Sequence, residues 1–164
     1  MNNRQAYDKA RNVVEPEFAE ILKNKKQGFN NVRQGTMLED FQHIDVFGTK
    51  NGVEWKFDVK DLTPANAAMS RRNYTMSDAL VQDVARDIDR KGGKYDNHFT
   101  ACRIYRSDGT AAGTYAVFKT AELVGQKKVK EHLKRNDPSK KFWLFNIDEC
   151  MRDLDKTSWW IYGK

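Results

Sequence analysis

Cysteine, proline and long apolar runs are all scarce in this 164-residue chain. Its two cysteines, Cys102 and Cys150, exclude a disulfide-dense scaffold, and their apolar surroundings fit reduced core thiols in a cytosolic protein. No apolar stretch approaches the roughly 18–20 residues of a membrane span, so no membrane partner is expected. The opening Met1–Asp8 lacks the apolar core of a signal peptide. No His/Cys spacing suits zinc, no P-loop is present, and no Ser-His-Asp set can be assembled. The three prolines, Pro16, Pro64 and Pro138, are scattered, and no linker, repeat or low-complexity tract interrupts the chain. One domain spanning residues 1–164 is expected, large enough to bury a core without staples.

What the chain has in excess is positive charge, a net +6 with a pI near 9.3. That balance favours a polyanionic partner and a salt-dependent contact with phosphates. From Lys119 to Lys141, eight basic residues stand against three acidic ones. A helix opening at Thr120 or Ala121 and running to about Arg135 would place Lys127, Lys130 and Lys134 on one face, with Lys128 at its border. The same cluster also reads as an ordinary solvated face. Arg71 and Arg72 are further candidates for backbone contacts.

The remaining pattern alternates helices and strands, which predicts an α/β domain with a central mixed β-sheet flanked by helices. A first helix covers about Tyr7 to Lys25, restarted at Pro16, with Val14, Phe18, Ile21 and Leu22 as its apolar stripe. Gly28 ends it, and Phe29–Arg33 follows as a short strand. Residues 35–40 connect this strand to the next. Asp61–Asn66 forms a loop, and a helix from Ser77 to about Arg90 turns Leu80, Val81, Val84 and Ile88 inward before Gly92-Gly93 stops it. Strands are predicted at Asn97–Tyr105, Thr114–Phe118 and Phe142–Ile147, with a turn at Ser107–Gly109 and a break at Asn136–Pro138. Asp148 is expected to cap a short last helix. The tail Trp159–Tyr162 docks as a strand or a packed end.

The most informative segment is a strand pair, Phe41–Gly48 and Val53–Lys60, joined at Lys50-Asn51-Gly52. In the second strand Val53, Trp55, Phe57 and Val59 alternate with Glu54, Lys56, Asp58 and Lys60, so Asp58 and Lys60 project side by side. Asp45, on the neighbouring strand, reaches the same place. Two carboxylates and an ammonium suit a hard divalent cation and an activated water, the chemistry of phosphodiester hydrolysis. The plainer alternative is a solvated strand face with a weak surface ion pair, and for Asp45 a turn or cap. His43, two residues before Asp45, shares its strand face and is a secondary candidate. On the first helix, geometry leaves Glu15 and Glu17 level as a third acid. Either one also reads as an ordinary first-turn acid favoured by the helix dipole.

The order Glu15 on an amphipathic helix, Gly28-Phe29, Asp45 at a strand, then Asp58-Val59-Lys60 resembles the PD-(D/E)xK nuclease superfamily. It is most similar to the small resolvase-like members, including archaeal-type Holliday junction resolvases and related phage proteins. The likeness covers about residues 9–62 and departs from the pattern at Ile44, where the signature has proline. It implies a restriction-endonuclease-like core and a Mg²⁺-dependent DNA endonuclease acting on branched DNA, with Mn²⁺ able to substitute. Asp45, Asp58 and Glu15 would hold the metal, and Lys60 would act on the nucleophile. A homodimer in the cytoplasm of a bacterial or phage-infected cell is the implied setting. The alternative is a non-catalytic, basic nucleic-acid- or protein-binding module that keeps a nuclease-like fold.

Overall fold

Strand-forming residues that alternate along 53–60 call for a sheet with at least one buried face, and the computed structural model supplies two. It describes residues 3–41, 44–61, 78–82, 96–106, 108, 110–124, 130–134 and 137–164. The N-terminal region contains α1 (Asn3–Lys9), a π-helical turn (Ala10–Val14) and α2 (Glu15–Lys23). A 3₁₀ turn, Lys25–Gln27, closes on Gly28 in the left-handed conformation. Then come β1 (Asn30–Gln34), α3 (Met37–Phe41), β2 (Val46–Lys50), β3 (Val53–Lys60), β4 (Asp78–Gln82), β5 (His98–Tyr105) and β6 (Ala111–Lys119). The chain ends with α4 (Thr120–Val124), β7 (Lys130–Lys134), β8 (Asp137–Asn146), α5 (Ile147–Asp153) and β9 (Trp159–Gly163).

Six strands form one mixed sheet in the order β1-β2-β3-β5-β6-β9, and β4-β8-β7 form a second, three-stranded sheet. In the larger sheet only the β3–β5 pair is parallel. The fold is therefore α/β with a mixed sheet, as the alternating pattern predicts. Asn51 and Gly52 both take positive φ, which gives the β2–β3 hairpin the tight two-residue turn that fits strand twist.

The helical stripe predicted at Val14, Phe18, Ile21 and Leu22 is buried against Phe57, Val59, Phe99, Ala101, Tyr115 and Val117 on one sheet face. Phe18 anchors it, with its ring 5.1 Å from that of Phe57 and 4.9 Å from that of Tyr115. On the opposite face Cys102, Ala116 and Phe118 pack with Leu123, Ile147, Cys150 and Leu154. Both cysteines are thus buried free thiols, and burial pushes the Cys102 pKa well up.

Several local expectations are corrected. Residues 78–82 are a strand, not the start of a helix, because the Asp78–Gln82 run pairs with Phe142–Asn146 of β8. The helix expected from Thr120 to Arg135 ends its described span at Val124, and Lys130–Lys134 is a strand paired with β8. Lys130 and Lys134 therefore share no helical face, while Lys127 and Lys128 lie outside the described residues. Phe41 closes α3, and the strand expected from it begins only at Val46. Asn146, not Asp148, caps α5 by accepting from the Glu149 amide at 3.0 Å. Pro138 lies within β8. Arg71, Arg72, the 83–90 helix and Gly92-Gly93 lie outside the described residues.

Phe18→Ala should cost about 3–5 kcal/mol, the usual penalty for emptying a fully buried aromatic site. Denaturant unfolding of the variant measures it.

Candidate active site

The site forms where β2 parts from β3. Val46 is paired with Phe57, and the Asp45 amide still donates to the Phe57 carbonyl at 2.7 Å. One residue earlier the ladder ends, because the Ile44 amide turns to the Glu39 carbonyl at 3.1 Å. That departure would strand the next inward amide of β3, and a buried amide needs a partner. The Asp45 carboxylate supplies it: Oδ2 accepts from the Val59 amide at 2.7 Å. Asp45 thus lies against the residue between Asp58 and Lys60.

Asp58 and Lys60 project from one face of β3. Asp58 is 3% exposed, and Lys60 Nζ stands 3.1 Å from its Oδ2, with about a fifth of the lysine side chain in solvent. The ammonium is the partner that compensates the burial of Oδ2. Burial alone would lower the Lys60 pKa, but the charges of Asp58 and Asp45 outweigh it and the net direction is upward. Lys60 is therefore a cation, not a neutral base, among the groups of this chain. The solvated-face reading of Asp58 fails, because the second core beneath α4 and α5 covers its side of the sheet.

The approach of the chain to Asp45 is fixed by Gly35. A Cβ there would sit 2.5 Å from the Ile44 carbonyl oxygen, so only glycine lets β1 pass this closely. The Gly35 amide donates to the Asp45 carbonyl at 2.6 Å. After it, Thr36 and Glu39 form a reciprocal cap for α3, each accepting from the other's backbone amide at 3.2 and 2.9 Å. Arg33 grips Glu39 with two bonds of 2.8 and 2.9 Å and lies 4.0 Å over the Phe47 ring. Mainly the Arg33 hydrogen bonds, then the Thr36 amide, hold the Glu39 pKa down to about 2.

The two helical acids part company. The π-helical turn, closed by the Glu15 amide on the Ala10 carbonyl, lets both Val14 and Glu15 be buried. Arg11 Nη1 bridges Glu15 Oε1 and the Gly35 carbonyl, each at 3.2 Å, which links Glu15 to the segment holding Asp45. Glu17 is drawn the other way. It accepts from the Tyr115 hydroxyl at 2.8 Å, from Arg103 Nε at 3.2 Å and from Lys164 at 3.3 Å. Burial tends to raise its pKa, but these partners outweigh that effect and bring the net direction below the usual carboxylate value. Among the described residues, no group of three or more His, Cys, Asp or Glu side chains is arranged to hold a metal ion. His43 lies outside the described residues.

Two further groups near β3 went unnoticed in the sequence. Asp61, just past Lys60, faces the helices, where Lys9 lies 3.1 Å from it and the Tyr105 hydroxyl donates to it. On β5, His98, Thr100 and Cys102 stand in register with Lys56, Asp58 and Lys60. The period-two spacing of His98 and Thr100 around the apolar Phe99 and Ala101 was the available signal.

Comparison with protein-family models, with curated proteins and with solved structures gives no match to this chain.

Glu39→Gln should destabilise the protein at neutral pH and leave it little changed near pH 2. A carboxyl whose pKa is depressed from 4.5 to about 2 contributes its stability above the higher value and loses it as pH falls through the lower one. The difference in Tm between wild type and variant, followed from pH 7 to pH 2, should shrink across that window. A constant difference would contradict the assignment.

Proposed function

We propose that the chain is a Mg²⁺-dependent DNA endonuclease with a restriction-endonuclease-like core, selective for branched DNA. The carrying observation is the meeting of Asp45, Asp58 and Lys60 at the parting of β2 and β3. Two buried carboxylates whose charges both act on Lys60 are hard oxygen donors, so these residues fit a small divalent cation. Asp45 and Asp58 would hold it, with Glu15 directly or through water. When bound, Mg²⁺ would supply charge neutralisation and a more acidic water.

The protein's own groups account for the rest. The Val59 amide and the rigid β2–β3 ladder fix the Asp45 carboxylate, so little reorganisation is needed during reaction. Lys60, held as a cation, stabilises negative charge gathering on the phosphate as water attacks phosphorus in line, and orients that water. A net charge of +6 supports attraction to the DNA backbone. Shape and backbone, more than base sequence, are the features such a small chain can read. Cutting two strands with one site per chain calls for a symmetric dimer. The non-catalytic binding module remains the rival, favoured by the lack of a three-acid cluster among the described residues.

The deciding experiment presents four-way junction, flap, linear duplex and single-stranded DNA to the protein with Mg²⁺ and with EDTA. Cleavage only with Mg²⁺, strongest on branched DNA and lost in Asp58→Asn, is the expected result. No cleavage of any substrate with Mg²⁺ or Mn²⁺, or full activity in Asp58→Asn, would overturn the reading.

Lys60→Ala should still bind metal and DNA but cut roughly 10²–10⁴-fold more slowly, the usual span for losing one proton-handling or charge-stabilising group. Single-turnover rates beside metal and DNA titrations test this. Loss of metal affinity with normal chemistry in the loaded protein would reassign the lysine.

A further inference from the structure

The two edges of the six-stranded sheet are built differently. At one edge β1 has a register shift between Asn30 and Arg33, with Asn31 at positive φ and an exposed charge at Arg33. Irregularities and charges of this kind protect an edge from pairing with another chain. Among the described residues β9 forms the other edge, and Trp159–Gly163 contains neither a charge nor a proline. Its aromatic and β-branched residues favour an extended strand.

The register of β9 on β6 fixes which backbone groups face outward. The Lys119 amide donates to the Ser158 carbonyl at 3.0 Å, and the Lys164 amide to the Gly113 carbonyl at 3.1 Å. Hydrogen-bonded pairs alternate along an antiparallel ladder, so Trp160 and Tyr162 turn their backbone groups to Val117 and Tyr115 of β6. Trp159, Ile161 and Gly163 turn theirs away from the sheet. Gln27 Nε2 donates to the Gly163 carbonyl at 3.1 Å, which covers one end and leaves Trp159 and Ile161 as the open stretch among the described residues. The Ile161 side chain is 44% exposed.

We infer that β9 pairs antiparallel with β9 of a second copy of this chain, about a two-fold axis at Ile161. The strand is its own complement there: the Ile161 amide of each copy donates to the Ile161 carbonyl of the other. The two Ile161 side chains fall opposite each other and cover apolar surface, and no like charges meet. A partner of different sequence would find no charged group in this strand to select it. The pairing would join two sheets into one and supply the dimer that two-strand cleavage calls for. It rests on the backbone and composition of β9, not on the nuclease reading.

Sedimentation equilibrium and amide hydrogen exchange on the full chain test this. Wild type should rise with concentration from 19.1 kDa towards twice that mass. The Trp159 and Ile161 amides should be protected in the dimer and lose that protection on dilution. Ile161→Lys sets like charges across the axis and should stay monomeric, while Ile161→Val keeps the dimer. Ile161→Pro removes only an outward amide and should also be monomeric. Trp160 and Tyr162 amides that remain protected show that β9 still lies on β6 in each variant. A wild type monomeric at every concentration, the two outward amides protected in a monomer, or a dimer that survives Ile161→Lys would overturn the inference. If both disruptive variants fail to fold, the wild-type mass and exchange decide. DNA cleavage by a monomeric wild type would keep the nuclease reading and remove this interface. A β9-paired dimer that cleaves no DNA would do the reverse.

Discussion

An ammonium held 3.1 Å from a carboxylate on a strand covered on both faces is the constraint around which this sheet is organised. Either charge alone at that depth would be costly, because an unpaired buried ion loses its hydration without compensation. Asp58 and Lys60, two residues apart, therefore offset each other's burial cost on the strand that joins the antiparallel β2 side to the parallel β5 side. Asp45 joins them for a backbone reason, since its carboxylate replaces the partner that the Val59 amide loses when β2 turns away. The same carboxylate thus ends a ladder and adds negative charge beside a cation. Structural and chemical roles coincide in one side chain.

The parts of this arrangement that depend on local periodicity were legible in the sequence. The alternation from Val53 to Lys60, the turn at Asn51-Gly52 and the stripe from Val14 to Leu22 each follow from spacing within a few residues. Burial was less legible. Alternation marks Asp58 as facing away from Phe57, but only the packing of α4 and α5 shows that this second face is also covered. What failed depended on distant pairing. Leu80 and Val81, with Val84 and Ile88, fit a helical period, yet β8 offers the Phe142–Phe145 run as a partner and residues 78–82 become a strand. Lys130–Lys134 is likewise drawn into a hairpin with β8 despite residues that suit a helix. Short segments of this kind are ambiguous in isolation, and the sheet decides.

The two helical glutamates show how tertiary partners separate what helical angle leaves level. Arg11 and the π-helical turn set Glu15 beside the Gly35–Asp45 connection. Arg103, Tyr115 and Lys164 hold Glu17 against the β6–β9 side of the sheet. None of these partners is near either glutamate in sequence except Arg11. The same holds for Thr100, whose place beside Asp58 exists only through the parallel register of β3 and β5.

The central claim is that Asp45 and Asp58 form a divalent-cation site next to a fixed positive charge. Mg²⁺ titration, followed by calorimetry and by thermal unfolding, tests it without reference to any substrate. The account predicts saturable binding to the wild-type protein with a rise in Tm that grows with metal concentration, as ligand binding to the folded state requires. Asp45→Asn and Asp58→Asn should each remove both effects while remaining folded. Absence of binding by wild type, or binding that survives both substitutions, would contradict it.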